Sequence, residues 1–316
     1  MKSTIYYFAF STVLSMLLLS ALPAPSPTTQ SAPVDEADDR TVLEPLKESH
    51  SRSLFNDDVK IYELNSGHRH IGESIHLARR SQKVKAKYFA FENHDNVYER
   101  YQEWKQNKKI ILMCAGAFTS GDNSKPVGLT VDNGQIVNRN IENDMDGLVV
   151  VYATGGIVAS DLEKEPGIYL GSLKKKLNPL QSRDRYEFLD WAEEEDATVF
   201  QTQLLVFKND LRVYTEGRTE TASRRILALA QDQSGNLQHI VFNIRSEVFL
   251  YDISKEIYDH LQRENMKVIV MLNLDTGSYD ILQVFDESGD RIQGIHGDRD
   301  IRPSKATNLV AYYYDE

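Results

Sequence analysis

From Val59 onward the chain is a series of short β-rich runs with little helix between them, and that pattern limits it to a sheet-built fold. VKIYEL (59–64), VKAKYFAFE (84–92), KIILMCAGAF (109–118), LVVVYA (148–153), TVFQTQLLVF (198–207), RILALAQD (225–232), VIVMLNLD (268–275) and LVAYYYD (309–315) alternate or stay apolar over strand lengths. VGLTV and QIVN flank Asp132-Asn133-Gly134, and Asn-Gly supplies the positive φ angles of a tight hairpin. Two segments read as helices. Residues 93–108 place Val97, Tyr98, Tyr101 and Trp104 at helical spacing behind Asn93 or Asp95 as cap, and 254–264 does the same with Ile257, Tyr258 and Leu261. The expectation is an α+β fold: a single domain dominated by a mixed or antiparallel sheet with two or three helices, over residues 55–316.

Before this body, Ile5 to Leu22 is a mostly apolar run behind Lys2, with Pro23 and Pro25 directly after it. Residues 1–22 read as a signal peptide or, if uncleaved, an anchor, so the expected location is secreted or periplasmic. Residues 23–53 are rich in Pro, Ser, Thr and acidic side chains and read as a flexible spacer. A formal charge of −11 argues against a general nucleic-acid binder. A single cysteine, Cys114, excludes an internal disulfide framework and any CxxC site.

Three stretches carry candidate chemistry. In MCAGAFTSGDNSKPVGLT (113–130) a buried strand ends in Ala115, Gly116 and Ala117, which let a ligand or a neighbouring backbone approach closely. Gln201 and Thr202 are polar in the middle of an apolar strand, so they either find hydrogen-bond partners or face a cleft. Asp275 follows an apolar run and precedes Thr276, Gly277 and Ser278; this is a placement for an acid or base whose burial raises its pKa, or for a turn-capping carboxylate.

Together the stretches resemble the phosphodiester glycosidase family, whose eukaryotic relatives uncover mannose 6-phosphate by removing GlcNAc, and whose bacterial branch is associated with exopolysaccharide. Where the family carries motifs like MNAGMF, SPVGLY, ATQSGPMLV and YLDGGIS, this chain has MCAGAF, KPVGLT, ATVFQTQLLV and NLDTGSY in the same order, with Ser223-Arg224-Arg225-Ile226 between the last two. The chain departs from the pattern at Cys114, Gln203, Leu227-Ala228-Leu229 and Thr276. The resemblance implies hydrolysis of a phosphodiester at a sugar's anomeric carbon. It assigns catalytic roles to Asp275, Thr202 and Arg225, and substrate contacts to Arg224, Gly116, Phe118, Gln201, Gly277 and Ser278. No cofactor and no metal ligand are assigned, and the sequence does not give the metal requirement; the expected partner is a phosphorylated sugar or cell-envelope glycan, with no nucleic acid, and a membrane only if the N-terminal segment stays uncleaved. The altered positions support an alternative, an exported glycan-binding module that keeps the fold without the chemistry.

Other features read more plainly. Asp275-Thr276-Gly277-Ser278 mimics an aspartic protease signature, but that chemistry needs a second facing carboxylate and no second motif exists. Cys114 reads as a small core residue. His68, His70, His296, Asp298 and Asp300 read as surface loop residues, and 232–236 and 286–290 as hairpin turns.

Overall fold

In the computed structural model, residues 41–90, 96–213, 220–277 and 279–315 are described, and all of them belong to one compact unit. The signal or anchor segment and residues 23–40 of the expected spacer lie outside them. In chain order the strands begin with β1 (Ser51–Leu54), β2 (Val59–Ser66), β3 (Arg69–Ala78), β4 (Val84–Ala90), β5 (Lys109–Ala115), β6 (Thr130–Asp132) and β7 (Gln135–Asn138). They continue with β8 (Gly147–Val151), β9 (Ile157–Asp161), β10 (Ile168–Leu170), β11 (Lys175–Leu177), β12 (Thr198–Phe207) and β13 (Asp210–Leu211). The last are β14 (Thr221–Gln231), β15 (Leu237–Phe249), β16 (Lys267–Leu274), β17 (Leu282–Phe285), β18 (Arg291–His296) and β19 (Asn308–Tyr314). The α-helices among the described residues are α1 (Val97–Lys105), α2 (Ser182–Glu194) and α3 (Leu250–Arg263).

The strands form a twelve-stranded sheet with the path β1-β2-β3-β15-β14-β16-β12-β6-β7, a five-stranded sheet β18-β17-β5-β19-β4, and the small β10-β11 pair. The ladders among the described residues are antiparallel, so the fold is α+β as the sequence pattern predicts. The two large sheets face each other. Leu227 and Leu229 of β14, Val270 and Leu272 of β16, and Leu112, Cys114, Val310 and Tyr312 of the smaller sheet share one buried cluster. The alternate side chains of the same strands, Ile226, Ala228 and Met271, pack under α3 against Ile253, Ile257 and Leu261. Burial on both faces is why these strands read as nearly continuous apolar runs. Helix α1 covers the outer face of the smaller sheet through Val97 and Tyr101, and α2 packs Phe188, Leu189 and Ala192 against β6, β8 and β12.

Several boundaries differ from expectation. Of the expected spacer, residues 41–53 are described and pack: Leu43 is buried, its amide donates to Glu256 on α3 at 2.8 Å, and Ser51–Leu54 pairs with β2. Helix α1 is capped by Asn96, whose Oδ1 accepts from the Tyr98 and Glu99 amides. Asn93 and Asp95, the expected caps, lie outside the described residues. Helix α3 starts at Leu250, four residues ahead of Ser254. Helix α2 and strand β3 carry no expectation at all. The apolar stripe of α2 is short amid charge, and β3 buries Glu73, Ser74 and His76, which break the apolar pattern of a strand. The hairpin reading at 132–134 holds, with φ of 51° at Asn133 and 79° at Gly134 between β6 and β7. Residues 232–236 and 286–290 likewise close the β14–β15 and β17–β18 connections.

Candidate active site

Strand β5 of the smaller sheet and strand β16 of the larger one end side by side. The Asp275 amide donates to the Gly116 carbonyl at 2.9 Å, and the Ala115 amide donates to the Ile281 carbonyl at 3.0 Å. β16 of the larger sheet ends at Leu274 and β17 of the smaller one begins at Leu282, so two motifs far apart in sequence meet at one seam. Asp275 is only 4% exposed, and its Oδ1 accepts the Gly277 amide at 2.7 Å. Burial is the largest influence on its carboxyl and raises the pKa above the usual carboxylate value; hydrogen bonds from Gly277 and Thr119 and the charge of Arg225 pull it back partway. Gly277 is exposed and Thr119 half-buried, so the carboxyl lies one layer beneath the surface. The Thr119 hydroxyl pairs with that of Thr307 at 3.0 Å.

Gly116 is small because strands pack against it. A Cβ there would lie 2.7 Å from Asn308 Oδ1 and 3.0 Å from both Tyr88 and Val310. Gly116→Ala is therefore expected to cost about 1–3 kcal/mol in urea unfolding. Gly121→Ala, whose added carbon meets nothing within 4 Å, is the control and is expected to leave the midpoint within about 0.5 kcal/mol.

Arg225 has no exposed surface. Its Nη1 donates to the Ile281 carbonyl at 3.0 Å and forms an ion pair with Asp280 at 2.7 Å, and its Nη2 donates to Asn243 Oδ1 at 2.9 Å. Its charge reaches Asp275, but its terminal nitrogens are committed to protein groups. Arg224 lies on the opposite face of β14, since consecutive strand residues alternate and it pairs with Ile244 rather than Asn243. It is half-buried, with Nη2 donating to the Glu220 carbonyl at 3.1 Å. The two arginines therefore do not converge on one ligand.

Gln201 and Thr202 separate in the same way. Thr202 is fully buried and its hydroxyl donates to the Asn273 carbonyl. Gln201 points to the other face and is also fully buried. Its Oε1 accepts the Leu129 and Glu142 amides at 2.7 and 3.1 Å, and its Nε2 donates to the Glu142 and Met145 carbonyls at 3.2 and 2.8 Å. It clamps the loops around β6 and β8. Gly128, with φ of 78°, leaves room for that clamp, since a Cβ would come within 2.7 Å of Gln201 Oε1. Phe118 is half-buried, and its carbonyl accepts the Val127 amide at 2.7 Å. Ser278 lies outside the described residues. Cys114 is buried in the sandwich core with its thiol pushed up to about 11, as fits a packing residue.

Sequence reasoning passed over Thr119, Thr307, Asp280, Asn243 and Glu73. Asp280 carried a local signal, an acidic residue just ahead of the apolar Ile281 and Leu282. Among the described residues no group of three or more His, Cys, Asp or Glu side chains gathers to hold a metal ion. His68 and His70 are both exposed, His70 at the start of β3 where it meets Glu73 at 3.1 Å, and Asp300 accepts the Leu282 amide at 2.6 Å.

No family model matches the chain, and no curated protein matches its sequence. Among solved structures it is similar to the zebrafish N-acetylglucosamine-1-phosphodiester α-N-acetylglucosaminidase catalytic domain auto-inhibited by pro-peptide. That match has 13% identity and a TM-score of 0.48, over 84% of this chain and 87% of that one. It is also similar to a hypothetical protein from Synechocystis, with 11% identity and a TM-score of 0.44, over 86% of this chain and 64% of that one. Both likenesses are distant.

Proposed function

We propose that this chain is an exported hydrolase that cleaves a sugar phosphodiester or a related glycan bond of the cell envelope, with Asp275 as the acid or base. The observation that carries the reading is the Asp275 carboxyl itself. It is buried where the two sheets meet, its pKa is raised by that burial, and it lies two residues from exposed backbone at Gly277. A carboxyl so placed can hold a proton for a leaving oxygen and, once ionised, take one from water. Arg225 acts from behind by limiting how far that pKa rises. With Arg225 enclosed and Arg224 on the other face, the phosphate falls to exposed cations. Arg299 and Arg302 are exposed, and they lie in the segment whose backbone is tied to Asp280 by the Arg299 amide at 2.7 Å. Export rests on the apolar run of residues 5–22.

One observation favours the binding-module reading: the hydroxyl of Thr202, the amide of Gln201 and the terminal nitrogens of Arg225 are all consumed by internal bonds. The test is release of sugar or phosphomonoester from a panel of sugar 1-phosphodiesters by the purified protein. Turnover that disappears in Asp275→Asn supports the hydrolase. Saturable binding of the same compounds without turnover supports the binding module.

A further inference from the structure

A cleft of about 450 Å³ opens beside β1 and β18, the end strands of the two large sheets. Glu73, which lines it, pairs with Asn243, Asn243 with Arg225, and Arg225 with Leu274, so at ordinary strand spacing the cleft wall lies about 14 Å from the residue before Asp275. Glu73 is only 4% exposed; its Oε1 accepts Arg245 Nη2 at 2.6 Å and meets His70 Nε2 at 3.1 Å. Its Oε2 accepts Asn243 Nδ2 at 3.0 Å, and Asn243 Oδ1 accepts Arg225 Nη2 at 2.9 Å, so a buried row of polar side chains holds the carboxylate from behind. Arg245 Nη1 donates to the Gly294 carbonyl at 3.2 Å, which ties β15 to β18 at the cleft. The β1 side is tied as well: Arg52 pairs with Asp286 at 3.7 Å, and the Phe55 amide donates to Glu287 at 2.5 Å. The cleft is therefore formed before a ligand arrives.

Fold stability alone does not account for this wall. Glu63 and Glu73 are direct cross-strand partners, and like charges in that relation repel. A buried ion pair is usually no more stable than an apolar filling of the same shape. The groups left over define a ligand. Nη2 of Arg245 is committed to Glu73 and His70 and Nη1 to Gly294, which leaves the Nε hydrogen and a second Nη1 hydrogen without a partner among the described residues. The Glu73 carboxylate keeps a lone pair beyond those facing Arg245, His70 and Asn243. Around the wall Arg52 and Arg245 offset Glu63 and Glu73, so at neutral pH net charge draws in neither an anion nor a cation. Ile61 and Ile295, both buried, add apolar surface beside these polar groups.

We infer that this cleft is a sugar-binding site, which takes one neutral pyranose unit of a glycan through two adjacent hydroxyl groups. One hydroxyl donates to the Glu73 carboxylate and its neighbour accepts from the Arg245 guanidinium, while the C–H face of the ring covers the isoleucines. A fixed carboxylate beside a fixed guanidinium supplies both halves of that recognition at once, and the volume is that of an ordinary small-ligand pocket. The site is separate from the seam at Asp275, so it goes beyond the hydrolase reading and does not depend on it.

The test is an amide NMR titration of the isotope-labelled full chain at neutral pH. The probes are the methyl glycosides of glucose, galactose, mannose and N-acetylglucosamine, with inorganic phosphate as the charged comparison. At least one glycoside is expected to shift the amides of Arg52, Gly294 and Ile295 along a saturable curve in the millimolar range, and phosphate to leave them in place. Arg245→Gln is expected to weaken that binding about tenfold or more, because a charged donor is lost from the wall. Arg302→Gln, in the exposed segment next to Asp280, is expected to change it by less than about twofold. If no glycoside moves the cleft amides, the inference is overturned. Shifts confined to residues around Gly277 overturn it too, while leaving the hydrolase reading intact. Saturation of the cleft by phosphate, or unchanged affinity in a folded Arg245→Gln, overturns the assigned ligand. If Arg245→Gln does not fold, the wild-type map decides alone. Absence of turnover on sugar 1-phosphodiesters would defeat the hydrolase reading without altering that map.

Discussion

Asp275→Asn is expected to lower turnover by about a thousandfold, within the range that a positioned acid or base contributes, while leaving the melting temperature at neutral pH unchanged or higher. The stability half of that statement follows from the direction of the pKa shift. Burial raises the folded-state value above the ordinary 3.8, so the native protein holds this proton more tightly than the unfolded chain does. The contribution to stability is present below the unfolded value and is lost as pH climbs through the folded one. Near neutral pH the ionised, buried carboxylate is therefore a burden on the fold. Asparagine removes the charge and keeps an oxygen for the Gly277 amide, which Asp275 Oδ1 now accepts at 2.7 Å. Calorimetry across pH checks it: the variant should match or exceed wild type near neutrality, and its advantage should vanish in acid. A variant that loses turnover and stability together would instead mark Asp275 as a turn-capping residue of the crossover.

The parts of this site that were legible in the sequence are those set by local chemistry. Small residues after a buried strand, an aspartate after an apolar run and an Asn-Gly turn have the same meaning wherever the chain goes, and Gly116, Asp275 and the 132–134 hairpin lie as that chemistry predicts. The polar residues within strands were ambiguous for a physical reason. Composition shows that Gln201 and Thr202 must be satisfied if buried, but not that Leu129, Glu142, Met145 and Asn273 supply the partners. Strand period alone separates Arg224 from Arg225, since neighbours in a strand face opposite ways; the resemblance to a family motif drew the two together. The row from Glu73 through Asn243 to Arg225 depends on the register of β3, β15 and β14, which long connections determine and no local pattern encodes. Strand β3 was itself hidden because the polar residues of that row and its neighbours interrupt it.

Acidification from about pH 7 to about pH 5 is expected to destabilise the protein by on the order of 5 kcal/mol, a large share of a typical domain's stability. The cause is three enclosed histidines. His76 is held down to about 3, His239 to about 3 and His260 to about 4, in each case chiefly because burial penalises the charged ring. Arg79 beside His239 and Arg263 beside His260 add repulsion, and His260 and Lys60 do so at His76. Partners are sparse: His239 meets the Tyr312 hydroxyl at 3.0 Å, His76 meets Ser74 at 3.2 Å, and among the described residues neither ring nitrogen of His260 has a hydrogen-bond partner. The unfolded chain takes up these protons near the ordinary 6.5 and the native state does not. Stability is therefore complete above 6.5 and is lost as pH falls below it, at about 1.4 kcal/mol per pH unit for each ring. Asp132, Asp146, Asp275 and Asp300 act oppositely, because burial raises their folded values and protonating them relieves the fold. Their effect develops toward 3.8, so the histidines dominate the window just below neutrality and the slope slackens in stronger acid. Urea unfolding at a series of pH values measures this slope directly. His260→Leu, which removes one ring that has no hydrogen bond to lose, is expected to recover about a third of the loss near pH 5. An unchanged slope in that variant would show that His260 takes up its proton in the native state, and with it that α3 opens enough to let water reach the ring.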